Sequence, residues 1–114
     1  MADPRVLLPL KPLVFETLLA LADDDRHGWS LVRDIQQRLG GERVLPANFY
    51  RTLRGMLADG LIAESTRKRS DDGDERRRYF ALTPLGRDAA KLEARRLSTL
   101  VDESRAKRLL GAKR

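Results

Sequence analysis

Apolar residues recur along this chain first at helical and then at strand spacing, and each change of period marks a boundary. From Pro12 to Ala22 a proline suited to a first helical turn is followed by good helix formers, which predicts a first helix. Within it Phe15, Leu18, Leu19 and Ala22 keep helical spacing, while Leu13, Val14 and Leu21 spread apolar surface round most of the circumference. Such a helix needs cover on two sides. The run Asp23-Asp24-Asp25 and then Arg26-His27-Gly28 break the pattern. A new period at Trp29, Leu31, Val32, Ile35 and Leu39 predicts a second helix that stops at Gly40-Gly41, with Trp29 expected to pack in the core. Pro46 opens a third helix and Gly60 closes it, with a core stripe of Phe49, Leu53, Met56 and Leu57. Its other flank carries Ala47, Asn48, Arg51, Arg54 and Gly55, with Tyr50 at the border, and is slim enough for close approach.

The period then changes to two. Leu61 to Lys68 and Arg76 to Leu82 are expected strands around a Ser70-Asp71-Asp72-Gly73-Asp74-Glu75 turn, with Phe80 and Leu82 on one face and Tyr79 and Ala81 on the other. Thr83-Pro84 then provides a hydroxyl cap and a first-turn proline for a long fourth helix, expected to run to about Leu110. Its apolar residues Leu85, Ala89, Ala90, Leu92, Leu97, Leu100 and Val101 cover roughly half the circumference at 100° per residue, wider than a coiled-coil seam. One small domain does not easily bury that arc together with the first helix. A homodimer is therefore expected, with Val14, Leu18, Leu92, Leu97, Leu100 and Val101 at its interface.

Composition narrows the classes. A chain of 114 residues, 41% hydrophobic, has the length of one domain. Lacking cysteine, it offers no disulfide, thiolate zinc site or thiol nucleophile. Pro9, Lys11, Pro12 and Glu16 break the longest apolar stretches, so no membrane span or signal peptide can be drawn and the expected location is the cytoplasm. With one His, no phosphate-cradling glycine loop and no paired carboxylates on an obvious helix face, the chain is expected not to be an enzyme, to have no catalytic residue and to need no cofactor or metal. His27 is solitary and reads as a structural residue at the start of the second helix. The net charge of +6 is uneven: residues 1–66 hold 8 basic and 9 acidic residues, 67–83 hold 6 and 4, and 84–114 hold 9 and 4. An excess placed toward the C-terminus suits a polyanionic partner, although a solvated basic surface has the same composition.

Three helices, a hairpin and a long helix follow the order of a winged helix-turn-helix domain with an appended C-terminal helix. The fold class expected is thus mostly α with a small β-hairpin: a DNA-binding unit over residues 1–83 and a dimerisation helix over 84–114, in one structural unit. Three segments sharpen this: His27-Gly28-Trp29 with Leu31 and Ile35; Pro46-Ala47-Asn48-Phe49-Tyr50-Arg51-Thr52-Leu53-Arg54 with Asp59-Gly60-Leu61-Ile62; and Arg77-Arg78-Tyr79-Phe80-Ala81-Leu82-Thr83 with Gly86. In order and spacing they resemble the signatures of PadR-type transcriptional regulators, short class with a single C-terminal helix, from Leu10 to about Leu100. Leu45, Ala47 and Asn48 depart from that family's usual Ser or Gly before the proline and Gly-Thr after it.

The resemblance implies a repressor that acts as a homodimer on a pseudo-palindromic operator in double-stranded DNA. It implies that Asn48, Arg51 and Arg54 of the third helix face base edges or phosphates in the major groove. Tyr50 would donate its hydroxyl to a phosphate, the alternative being a partly packed core tyrosine. Lys68, Arg76, Arg77 and Arg78 would follow neighbouring phosphates or the minor groove, although the same residues flanking an acidic turn also make a charge-balanced sheet edge. An effector is a further partner the resemblance implies; the sequence names no chemistry for it, and a fourth helix without aromatic residues does not support a stacking pocket between C-terminal helices. The competing reading is a winged-helix module for protein–protein contact or RNA, without operator specificity.

Overall fold

A computed structural model of the protein describes residues 3–38, 46–65 and 78–111. A short 3-10 turn over Pro4–Leu7 leads into α1 (Pro12–Leu21), β1 (Arg26–His27), α2 (Gly28–Arg38), α3 (Pro46–Ala58), β2 (Ile62–Glu64), β3 (Tyr79–Leu82) and α4 (Pro84–Ala106). The strands form an antiparallel sheet in the order β1-β3-β2, with Arg26 opposite Phe80, His27 opposite Tyr79 and Ile62 opposite Leu82. This is a mostly helical winged helix with a small three-stranded sheet.

The expected helices lie where their periods placed them, with four differences. The sheet has a third strand, β1, in the segment that breaks the helical pattern between α1 and α2. Trp29 is not a core residue: it is 62% exposed. The fourth helix ends at Ala106, short of Leu110, beyond which Arg108 takes a positive φ of 64°. Among the described residues β2 and β3 are shorter than the expected strands; the turn at 70–75 and the stop at Gly40-Gly41 lie outside those residues.

The centre of the core is built by α1, α2, α3 and β2. Leu18 of α1, Leu31 and Ile35 of α2, Phe49, Leu53 and Met56 of α3, and Ile62 of β2 are all fully or almost fully buried. Thr17 is buried among them, with its hydroxyl satisfied by donating to the Leu13 carbonyl at 2.8 Å. Arginines lace the layer edges. Arg26 donates to the Ala20 carbonyl at 2.9 Å and to Asp34 at 2.6 Å, and Arg38 to the Glu16 carbonyl at 2.8 Å, which fixes α2 against α1. Thr83 caps α4 as its sequence predicts, accepting from the Gly86 N–H at 3.0 Å.

The N-terminal turn packs on α4, and a buried carboxylate holds it there. Glu93 is 2% exposed, accepts two bonds from Arg96 at 2.7 and 2.8 Å, and accepts another from the Leu10 N–H. The Arg96 guanidinium, aided by that N–H, holds the Glu93 carboxyl below the usual glutamate range. A lowered folded value means stability that is fully present above the usual glutamate range and lost as pH falls through the lowered value. Glu93→Gln is therefore expected to cost about 1 to 3 kcal/mol near neutral pH. In urea unfolding the gap between variant and wild type should narrow as pH falls below the usual glutamate range; a gap that stays constant would contradict the assignment.

Candidate nucleic-acid interface

One flank of α3 faces solvent and the other is buried. Ala47, Asn48, Arg51, Arg54 and Gly55 are all exposed, while Phe49, Leu53 and Met56 anchor the opposite face. The helix carries two arginines and no acidic residue. Among the described residues neither arginine has a carboxylate partner; Arg51 has only a long bond to Asn48 Oδ1, at 3.4 Å. Some arginines elsewhere are engaged, Arg26 with Asp34, Arg38 with Glu16 and Arg96 with Glu93, while others, Arg33 and Arg95 among them, have no carboxylate partner among the described residues. Two unpaired guanidiniums on an acid-free helix form a fixed positive stripe.

Tyr50 is partly packed and partly exposed. Its ring stands edge-on to Phe49 at 5.7 Å between centroids, yet the residue is 39% exposed. The ring also lies over Gly28, where a Cβ would come within 2.9 Å of Tyr50 Cε1. A glycine at the start of α2 is what lets the tyrosine lie there.

His27 has the structural role expected of it. Its Nδ1 accepts from the Ser30 N–H at 3.1 Å and so caps α2, and its ring stands edge-on to Tyr79 at 5.3 Å. Beside it, His27, Trp29, Tyr50, Arg54, Arg78 and Phe80 surround an open cavity of about 310 Å3 between α2, α3 and β3. Trp29 is the residue of this surface that sequence periodicity missed.

At the base of the wing Arg78 is exposed but not free. It donates to Glu64 across the β2–β3 pair at 2.6 Å, and its guanidinium lies 5.6 Å from the centre of the Phe80 ring. Arg78 holds the Glu64 carboxyl below its usual range, and Glu64 in turn raises Arg78. Lys68, Arg76 and Arg77 lie outside the described residues.

Of the expected interface residues, Val14, Leu92 and Leu97 are half-buried, and Leu100 and Val101 are 46% and 41% exposed. Leu18 is a correction: with 0% exposure it fills the protomer's own core and offers a partner no surface. Its neighbour Leu19, 42% exposed, is the outward apolar residue of α1. Among the described residues no helix is long and apolar enough to cross a membrane, and no group of three or more potential metal ligands comes together.

The profile of the transcriptional regulator PadR-like family matches residues 17–92. The transcriptional regulator Rv3488 of Mycobacterium tuberculosis (strain ATCC 25618 / H37Rv) is 39% identical over 82 residues, 72% of each chain. An uncharacterized 37.1 kDa protein in transposon TN4556 of Streptomyces fradiae is 35% identical over 83 residues, which are 73% of this chain and 22% of that one. In fold, the chain is similar to a PadR family transcription regulator from hypervirulent Clostridium difficile R20291, with a TM-score of 0.72 at 21% identity, over 89% of this chain and 100% of that one. It is also similar to RosR of H. salinarum, with a TM-score of 0.62 at 23% identity, over 89% and 98%.

Proposed function

The chain belongs to the PadR-like family of DNA-binding transcriptional regulators, which are not enzymes, and we propose that it represses transcription as a homodimer on a pseudo-palindromic operator. The acid-free flank of α3, with Arg51 and Arg54 unpaired among the described residues, is the observation that carries this reading. Each α3 lies in a major groove, where Asn48, Arg51 and Arg54 reach base edges or phosphates and Tyr50 donates its hydroxyl to the backbone. Lys68, Arg76 and Arg77 follow the phosphates beside it. Arg78 joins them by sharing its guanidinium with Glu64.

Residues 1–83 are the reading unit and 84–114 the pairing helix. Leu92, Leu97, Leu100 and Val101 of α4, with Val14 and Leu19 of α1, form the seam between protomers. What supports the seam is the exposure of Leu19, Leu100 and Val101, apolar surface that a second copy would remove from water. Twofold symmetry of the protein then requires twofold symmetry of the site. Repression places the protein in the cytoplasm with the DNA, and an effector would act on this dimer.

Selection of bound fragments from genomic DNA, including the promoter of the protein's own gene, tests the reading. A sharp inverted-repeat consensus and a dimer in sedimentation at micromolar concentration are expected. Binding indifferent to sequence would overturn operator recognition, and a monomer that binds with full affinity would overturn the pairing seam.

A further inference from the structure

Trp29 is the least explained residue on the surface. An indole left 62% exposed in the first turn of α2 adds little to the core, and no described residue bonds to it. Its surroundings give it a role. The cavity it borders is walled by α3 through Tyr50 and Arg54, and by the start of β3 through Arg78 and Phe80. Its floor is apolar, made by Leu53, Leu57 and Phe80.

The polar groups at its rim are almost all donors. Trp29 offers an indole N–H, Arg54 its guanidinium N–H groups and Arg78 those left beyond its Nε bond to Glu64, and none of the three can accept. Tyr50 adds a hydroxyl, and His27 has already committed its Nδ1 to capping α2. Among the described residues no carboxylate lines the cavity. A donor-rich, cationic rim over an apolar floor suits a ligand with an acceptor-only anionic end and an apolar body. A deoxyribose with its phosphodiester has that form. The cavity also borders α3, the helix assigned to the major groove, through Tyr50 and Arg54.

We propose that this notch seats one sugar–phosphate unit of the DNA backbone, with the Trp29 N–H donating to the phosphate and the indole face covering the sugar. The assignment rests on the DNA-binding reading above and makes Trp29 a backbone contact that sets the register of α3 without reading a base.

Trp29 is the only tryptophan, so its emission reports on the notch directly. Titration with the selected duplex should shift and quench that emission over the concentrations that give a mobility shift. Trp29→Ala is expected to weaken binding about tenfold for every sequence, with an unchanged consensus, and Trp29→Phe should recover part of the loss. Because the indole carries no charge, the salt slope should stay as in wild type, whereas a lost arginine contact lowers it by about 0.9. Neutral methylphosphonates placed singly along the strand separate contact from mere structure: one position should cost wild type more than it costs Trp29→Ala. Wild-type affinity in Trp29→Ala, unmoved emission at saturation, or equal methylphosphonate costs in both proteins would overturn the notch while leaving DNA binding intact. Absence of a mobility shift with any duplex would overturn both.

Discussion

Gly86→Ala is expected to destabilise the protein by about 3 kcal/mol or more, a large part of the margin of a domain this size. Gly86 sits in the first turn of α4, where a Cβ would collide with the carbonyl oxygen of Leu61 and come within 3.0 Å of Leu82 Cδ1. A flexible side chain could turn away; a backbone carbonyl cannot, because Leu61 is held from both sides. Its oxygen accepts from the Thr83 N–H at 3.2 Å and shares the Thr83 hydroxyl, 2.9 Å away, with the Gly60 carbonyl at 2.6 Å, and its N–H donates to the Met56 carbonyl at 3.0 Å. Just before it Gly60 turns with a positive φ of 79°, a conformation glycine adopts without strain. The end of α3, the start of β2 and the cap of α4 are thus locked around one close backbone approach. Urea unfolding measures the effect, and Gly55→Ala is the control: nothing lies within 4 Å of a Cβ there, and alanine is the better helix former. If both variants unfolded at the same urea concentration, the junction would not be the rigid element described.

This junction shows what the sequence can and cannot make legible. Thr83-Pro84 announces a helix start, because capping is local chemistry, and the structure has that cap. Gly86 is recognisable by resemblance, but its reason is a contact with Leu61, twenty-five positions earlier, which no local pattern encodes. The two-residue strand β1 is too short to have a period and exists only because β3 offers it a partner. Trp29 follows its neighbours in sequence without sharing their burial. At 100° per residue it lies roughly 110° from the middle of the buried stripe of Gly28, Leu31, Val32 and Ile35. On that stripe the small residue Gly28 takes the inward position because the Tyr50 ring already fills the space. Glu93 was hidden for the opposite reason: an acid on a helix reads as solvated surface until the arginine and backbone N–H that neutralise it are seen together. The slim flank of α3 was legible because both facts that define it, a core stripe and its complement, lie within one helix.

Substituting both Arg51 and Arg54 by alanine is expected to have the largest effect on function and almost none on folding. Both side chains are exposed and neither holds another element in place, so helical circular dichroism and the urea midpoint should stay near wild type. Binding should respond in a way that identifies each contact. A guanidinium on a phosphate releases condensed counterions, so its loss flattens the dependence of log affinity on log salt by about 0.9 and weakens all sequences alike. One that bonds a guanine edge in two places instead sets a preference, and its loss should cost about 10- to 100-fold and relax the consensus at one position of each half-site. Measuring the two single variants and the pair across salt assigns each arginine to one of these. Arg95, exposed on α4 away from the reading unit, serves as the charge-matched control, and Arg95→Ala should leave the slope unchanged. Equal affinity and equal slope for wild type and the double variant would remove α3 from the groove. Were the loss instead identical in the Arg95 control, net charge rather than placement would govern binding. The expected asymmetry follows from placement: Arg51 and Arg54 share the exposed flank of a helix without an acidic residue, whereas Arg95 lies on α4 among Asp88, Glu93, Asp102 and Glu103.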